Sequence, residues 1–229
     1  LLGLVGSEMC IRDRDIAGPG FINISLSELC WHSLLSCVLL NGINFGRSNI
    51  GSSKKANVEF VSANPTGPLH VGHTRGAVFG DALASLLSYS GYEVTREYYI
   101  NDGGAQVDVL ARSVFLRYQE AFGKEVVFED GTYPGDYLIP IALKLKDKVG
   151  DAYLQKSEDK WLPEFRDYAV QAMMDLIKSD LDLLGIEMDT YFSEKSLYDS
   201  GQIEAALDRL RNNGPVSYTH LTLPTIREV

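Results

Sequence analysis

The run from Asn57 to Asn101 constrains this chain more than any other feature, because it reads as one complete supersecondary unit. Asn57–Ser62 alternates, with Val58 and Phe60 on one face and Glu59 and Val61 on the other, as a strand does. Asn64-Pro-Thr-Gly-Pro68 follows, a loop stiffened by prolines around a glycine. Beyond it Phe79, Ala82, Leu83, Leu86 and Leu87 fall at helical spacing and predict one apolar helix face. Gly91 ends that helix, and Glu93–Asn101 is rich in strand formers. Strand, loop, helix and strand make a βαβ unit, whose crossover is right-handed and whose strands are parallel. The expected fold class is therefore α/β.

The flanks extend this unit in both directions. Gly18-Pro-Gly20 is a turn, and Ile22, Ile24 and Leu26 alternate as a half-buried strand would. Ser25 and Glu28 have capping-box spacing, so a helix is expected to follow and to stop near Gly42. Cys30 and Cys37 fall in that helix as small buried residues. The polar stretch Gly46–Lys55 is the expected domain boundary. After Asp102-Gly-Gly104 a helix is predicted over Gln106–Phe122. Residues 123–160 read as irregular, with turns at Asp130-Gly131 and Pro134-Gly135. A long helix is predicted over Pro163–Leu184, with Pro163 in its first turn and Gly185 at its end. Its apolar side is Phe165, Ala169, Ala172, Leu176 and Ile177, with Met173 and Met174 as core filler. Gln202–Asn212 is a last helical stretch.

Composition excludes several classes. The chain has 229 residues, and no run approaches the roughly 20 apolar residues that span a bilayer. Three cysteines without close spacing exclude a disulfide scaffold and suit a reducing cytoplasm. A net charge of −10 argues against a basic coat for nucleic acid, DNA included, while leaving room for a local RNA surface.

The two ends read differently from the rest. Met9–Arg14 is MCIRDR and Val216–His220 is VSYTH. One coding of the first is the reverse complement of one coding of the second, and that DNA resembles a transposon end used in sequencing libraries. Residues 1–14 and 215–229 are therefore expected to be translated adapter. The division expected of the remainder is an N-terminal α+β piece over 15–50 and an α/β domain over 51–214, with an insertion near 123–160.

Chemistry concentrates at His70-Val71-Gly72-His73, where the loop meets the helix of the βαβ unit. A helix start offers unpaired N–H groups and the positive end of its dipole. Anions bind there, and ligands of parallel α/β sheets lie outside the carboxyl ends of the strands. Two imidazoles at that place can donate to phosphate oxygens, and Gly72 lets a flat base approach the backbone. The same two histidines could be zinc ligands, although no third ligand is spaced nearby, or ordinary residues of a helix start. Glu59 taken alone reads as a surface carboxylate on a strand.

Val58–Gly76, VEFVSANPTGPLHVGHTRG, resembles the HIGH signature region of bacterial arginyl-tRNA synthetases, a class I aminoacyl-tRNA synthetase family. Ala17–Asn23 resembles the end of that family's N-terminal domain, and Gly91–Asp102 its second catalytic strand. Tyr133–Asp136 resembles part of its inserted region, and Tyr191–Glu194 the strand beyond. The resemblance implies the N-terminal half of a Rossmann-like catalytic domain, preceded by a partial α+β domain that contacts tRNA.

It also implies a reaction: arginine and ATP give arginyl-adenylate and pyrophosphate, and the arginyl group then passes to tRNA(Arg). His70 and His73 match the catalytic signature histidines, and Pro68, His70, Gly72 and His73 the ATP-binding segment. Glu59, Ser62 and Asn64 match positions lining the arginine pocket, where Glu59 could face either cation of the substrate. Asp102 and Gln106 match a second-strand segment, from which this chain departs by carrying Gly103 and Ala105. ATP enters with Mg2+ as a substrate complex. No metal site of the protein's own, no prosthetic group, no membrane partner and an often monomeric, cytoplasmic family are the remaining implications. The family's second signature, KMSKS, does not occur in these residues, so the chain alone is expected to be inactive. Two other readings stay open from the residues: an HxGH nucleotidyltransferase that uses no tRNA, and a non-catalytic binding module.

Overall fold

A computed structural model describes residues 11–213. Backbone contacts divide it into two compact units, one formed by residues up to 55 together with 86–93, the other by 56–85 together with the residues from 94 on.

In the first unit, β1 (Ile11–Ala17) and β2 (Phe21–Leu26) form an antiparallel hairpin, with Ile16 opposite Ile22 and Ala17 opposite Phe21. Gly18 and Gly20 turn the chain with positive φ. The start of β1 thus falls within residues 1–14, and the rest of that expected adapter segment lies outside the described residues, as do 214–229. The strand expected to be half-buried is open: Phe21 and Ile22 are 68% and 66% exposed. Helix α1 (Glu28–Asn41) ends at Gly42, but Ser27 rather than Ser25 stands at its N-cap position, and the Ser27 hydroxyl makes no capping hydrogen bond. Ser27 is the last extended residue before the first helical turn, so it alone has the backbone geometry of a cap. Cys30 is buried, whereas Cys37, two turns further along the same side of α1, is exposed, so only the first cysteine matches the expectation. The polar stretch after α1 is an ordered loop. Ser48, Gly51 and Ser53 donate backbone hydrogen bonds to the carbonyls of Tyr89, Ser90 and Gly91.

In the second unit a three-stranded sheet has the order β3 (Lys55–Glu59), β4 (Glu93–Ile100), β5 (Thr190–Ser193). β4 and β5 run parallel, with Tyr98 opposite Tyr191. Helix α2 (Val71–Tyr89) makes the crossover from β3 to β4. It does not bury its large residues. Ala77, Gly80 and Ala84 are the buried positions, while Phe79 and Leu86 are 71% and 65% exposed. The reason is the distance of approach: a Cβ on Gly80 would collide with the Phe60 ring, so the helix meets the sheet through its smallest side chains. The fold class is α/β, as expected.

Helices α3 (Ala105–Ala121), α4 (Ile139–Val149) and α5 (Glu158–Leu183) form the other layer. The segment expected to be irregular therefore holds α4, preceded by a 3-10 turn over Asp136–Leu138. Pro140 sits in the first turn of α4, and Ile141, Ala142 and Leu145 share its buried side. Helix α5 starts five residues before Pro163, which lies inside it. Trp161 and Phe165, on either side of the proline, are buried, and the Trp161 ring stacks on Phe115 at 3.9 Å. That packing outweighs the hydrogen bond the proline omits. Met173 and Met174 are both buried, in different clusters. Met173 joins Leu110, Tyr118 and Phe165 among the helices; Met174 joins Phe60, Tyr98 and Ile177 under the sheet. Short α6 (Lys195–Asp199) and α7 (Gln202–Asn213) follow β5. Among the described residues, no helix is long and apolar enough to cross a membrane.

Candidate functional site

The site is built where β3 leaves the sheet. The Phe60 N–H still donates to the Glu97 carbonyl of β4, and then the backbone turns into the left-handed region, with φ of 67° at Val61 and 41° at Ser62. Such angles are costly for a β-branched residue and persist only where the surroundings impose them. Here the surroundings are visible. The Ser62 Oγ accepts from the Tyr99 N–H at 3.0 Å, and the Tyr98 hydroxyl donates to the Ala63 carbonyl at 2.8 Å. Burial pushes the Tyr98 hydroxyl well above its ordinary value, so it stays a donor.

The proline-bearing loop is tied at three further points. Thr66 N–H donates to the Asn64 carbonyl at 2.7 Å, the Tyr137 hydroxyl donates to the Thr66 carbonyl at 2.7 Å, and the Leu69 N–H donates to Asp180 at 3.4 Å. Tyr98, Tyr137 and Asp180 carry no motif that marks them in the sequence.

The loop delivers His70 to the start of α2. The His70 Nδ1 accepts the Gly72 N–H at 3.1 Å, and the His73 Nδ1 accepts the His70 N–H at 3.3 Å. This is the reciprocal geometry of a capping box, with imidazoles in place of the usual hydroxyl and carboxyl. The rings stack, their centroids 3.7 Å apart. A Cβ on Gly72 would lie 3.0 Å from the His70 ring, so glycine there lets the ring fold back over the helix start. Because each Nδ1 accepts, each neutral ring carries its proton on Nε2. The two Nε2–H groups are donors beside the N-terminal dipole of α2. His73 is held below the ordinary histidine value, first by desolvation and then by His70. Pro68 and Gly72 are exposed beside the rings.

The other sequence-derived residues divide. Asn64 and Gln106 come together: the Asn64 Nδ2 donates to the Gln106 Oε1 at 2.9 Å. That leaves one amide oxygen and one amide nitrogen of the pair facing outward. Asp102 is absorbed by the fold. One carboxylate oxygen accepts from Ser193 Oγ at 2.6 Å and the other from the Lys195 N–H at 2.8 Å. Glu59 is exposed, and its carboxylate has no hydrogen-bond or ion-pair partner among the described residues. No cluster of three or more His, Cys, Asp or Glu side chains is placed to hold a metal ion among the described residues.

Comparisons with known proteins agree on one family. Residues 34–131 match the family model described as tRNA synthetases class I (R), catalytic domain. The arginine–tRNA ligase of Jannaschia sp. is 64% identical over 210 residues, 92% of this chain and 36% of that protein. That of Roseobacter denitrificans is 61% identical over 214 residues, 93% of this chain and 37% of that protein. Among solved structures, a chain from Campylobacter jejuni described as an arginyl tRNA synthetase superimposes with a TM-score of 0.74 at 35% identity, covering 84% of this chain and 42% of that one. The Thermus thermophilus arginyl-tRNA synthetase gives 0.55 at 25% identity, covering 89% and 33%. The chain spans about a third of the length of the curated relatives it matches.

Proposed function

We infer that this chain, a homologue of the arginine–tRNA ligases over some nine-tenths of its own length, is a segment of such an enzyme and carries its phosphate-handling half. The supporting observation is the His70–His73 pair, with both Nδ1 atoms spent on the backbone and both Nε2–H donors left at a helix N-terminus.

The reaction this serves joins arginine to ATP and then to tRNA(Arg). In the first step a carboxylate oxygen of arginine bonds to the α-phosphorus while the bond to the bridging β-phosphate oxygen breaks, and pyrophosphate leaves. Charge grows on the phosphate oxygens, and no protein nucleophile takes part. The chain's contribution is orientation and fixed donors. Two imidazole Nε2–H groups and the open N–H groups of α2 stabilise phosphate charge without reorganising. ATP arrives as its Mg2+ complex, the metal belonging to the substrate. The Asn64–Gln106 pair offers an acceptor and a donor side by side, complementary to the ammonium and carboxylate of an amino acid. Glu59, with its carboxylate unengaged, is free to meet a substrate cation.

The test is ATP–pyrophosphate exchange by the longer protein that carries this segment, with tRNA(Arg) present. Exchange that depends on arginine supports the reading. Exchange that proceeds equally without any amino acid overturns it in favour of a nucleotidyltransferase.

A further inference from the structure

A cavity lies between α4 and α5, apart from the helix start of α2, and meets the site above only through Tyr137. Its volume is about 380 Å³, within the range of small-ligand sites. Tyr137, Tyr168, Lys144, Gln171, Asp175 and Leu176 line it. Both tyrosines are half-buried, and burial raises both hydroxyls above their ordinary value, so the rings are neutral.

Three features narrow the ligand. The rings of Tyr137 and Tyr168, with Leu176, give flat apolar walls suited to a planar group. At one edge the Gln171 Nε2 donates to the Asp175 Oδ1 at 2.8 Å, which leaves the Gln171 Oε1 and the second Asp175 oxygen as acceptors. Lys144 lines the cavity, and the Lys148 ammonium sits 5.5 Å from the Tyr168 ring. Neither lysine has an ion-pair partner among the described residues. A planar ring bearing N–H donors and an attached phosphate satisfies all three.

We propose that this cavity binds a nucleobase that presents ring N–H or amino donors, its phosphate held by Lys144 and Lys148. Guanine fits best, because its N1–H and amino group meet a carboxylate and an amide oxygen together. Uracil fits worst, having carbonyls where acceptors already stand. The base can come from a free nucleotide or from an unstacked residue of an RNA. The cavity is also mechanically linked to the phosphate site, since Tyr137, one of its walls, holds the Thr66 carbonyl at 2.7 Å.

The probes are guanosine and uridine 5′-monophosphate, titrated by equilibrium dialysis. The protein is the chain with His70→Ala and His73→Ala, so that binding at the helix start does not contribute. The same titration is run on this segment grafted into the 64% identical ligase, so a folding failure of one form leaves the other to decide. Guanosine monophosphate is expected to bind about tenfold or more tightly than uridine monophosphate, as a carboxylate reading a base edge gives. Asp175→Asn should abolish that preference. Leu176→Trp should abolish binding while leaving the circular dichroism unchanged. A short RNA ending in guanosine that binds more tightly than the mononucleotide assigns the base to RNA; equal or weaker binding assigns it to a free nucleotide. Absence of binding to the folded protein, equal affinity for the two nucleotides, or binding that survives Leu176→Trp overturns the proposal. Arginine-dependent exchange tests the phosphate site separately, because Asp175 and Leu176, the cavity residues that are changed, do not belong to it.

Discussion

His70 and His73 cap each other's end of the same helix: the Nδ1 of the first accepts the Gly72 N–H, and the Nδ1 of the second accepts the His70 N–H. Two roles are thereby separated on one ring, Nδ1 for structure and Nε2 for ligand. Asparagine at position 70 can still accept at the Nδ1 place, because it is a good N-cap, but it does not reach the Nε2 place. His70→Asn should leave urea stability within about 0.5 kcal/mol, whereas His70→Ala should cost about 1 kcal/mol. On the proposed function, both should slow ATP–pyrophosphate exchange in the longer protein by about 2–4 kcal/mol of barrier, as for loss of a fixed donor. An asparagine variant with unchanged exchange would remove the Nε2 role.

The cap requires neutral rings, since protonation turns each Nδ1 from acceptor into donor. Desolvation and then the His70 ring hold His73 below the ordinary value of 6.5. On acidification the unfolded chain takes up this proton first. The contribution of His73 to stability is therefore complete above pH 6.5 and is lost as pH falls below it through the folded value. A histidine-resolved NMR titration should place the His73 midpoint below 6.5, and His70→Asn should move it upward by removing one of its two causes. A midpoint at or above 6.5 in the unaltered chain would contradict the geometry.

The βαβ unit was legible because its strands alternate and its loop is punctuated by proline and glycine, signals that act within a few residues. What failed depended on partners distant in sequence. The large residues of α2 were expected inside, yet Phe79 faces solvent while Gly80 is buried. Periodicity reports an apolar side but not how closely a sheet approaches, and the signal that could have corrected it was the Ala77, Gly80, Ala84 stripe. Helix α4 was hidden because Pro140 reads as a breaker and Lys144, Lys146 and Lys148 alternate at strand spacing rather than helical spacing. The histidines and the Asn64–Gln106 pair were marked by motif; Tyr98, Tyr137 and Asp180 were not, because their task is to hold a loop and any donor or acceptor of the right reach would serve.

That close approach makes position 80 a sensitive site. A methyl added there meets the Phe60 ring, and Phe60 is itself only 8% exposed and cannot swing into solvent. Gly80→Ala should cost about 1–3 kcal/mol by urea unfolding despite its gain in helix propensity. Combined with Phe60→Leu, the two costs should be less than additive by about 0.5 kcal/mol or more, since the smaller side chain makes room. Additive costs would mean that the contact is not what excludes a side chain at position 80.

Asp102 closes the sheet from its carboxyl end, and its role can be separated from that of a ligand-binding group. Its two oxygens accept from Ser193 Oγ and from the Lys195 N–H, while its carbonyl accepts from Arg166 Nη2 at 2.9 Å. The side-chain bonds join the end of β4 to the end of β5 and the start of α6. They carry a full negative charge on the acceptor, so Asp102→Ala should cost about 2 kcal/mol of stability. Ser193→Ala removes only one of the donors and should cost about 1 kcal/mol. In a double-mutant cycle the pair should couple, because the serine has no purpose once the carboxylate is gone. If Asp102 acts only through this tie, and the chain is the ligase segment proposed above, the alanine variant of the longer protein at a temperature where it stays folded should keep its KM for arginine within about threefold. A KM raised well beyond that, with stability unchanged, would show that the carboxylate meets substrate rather than holding the strand ends together.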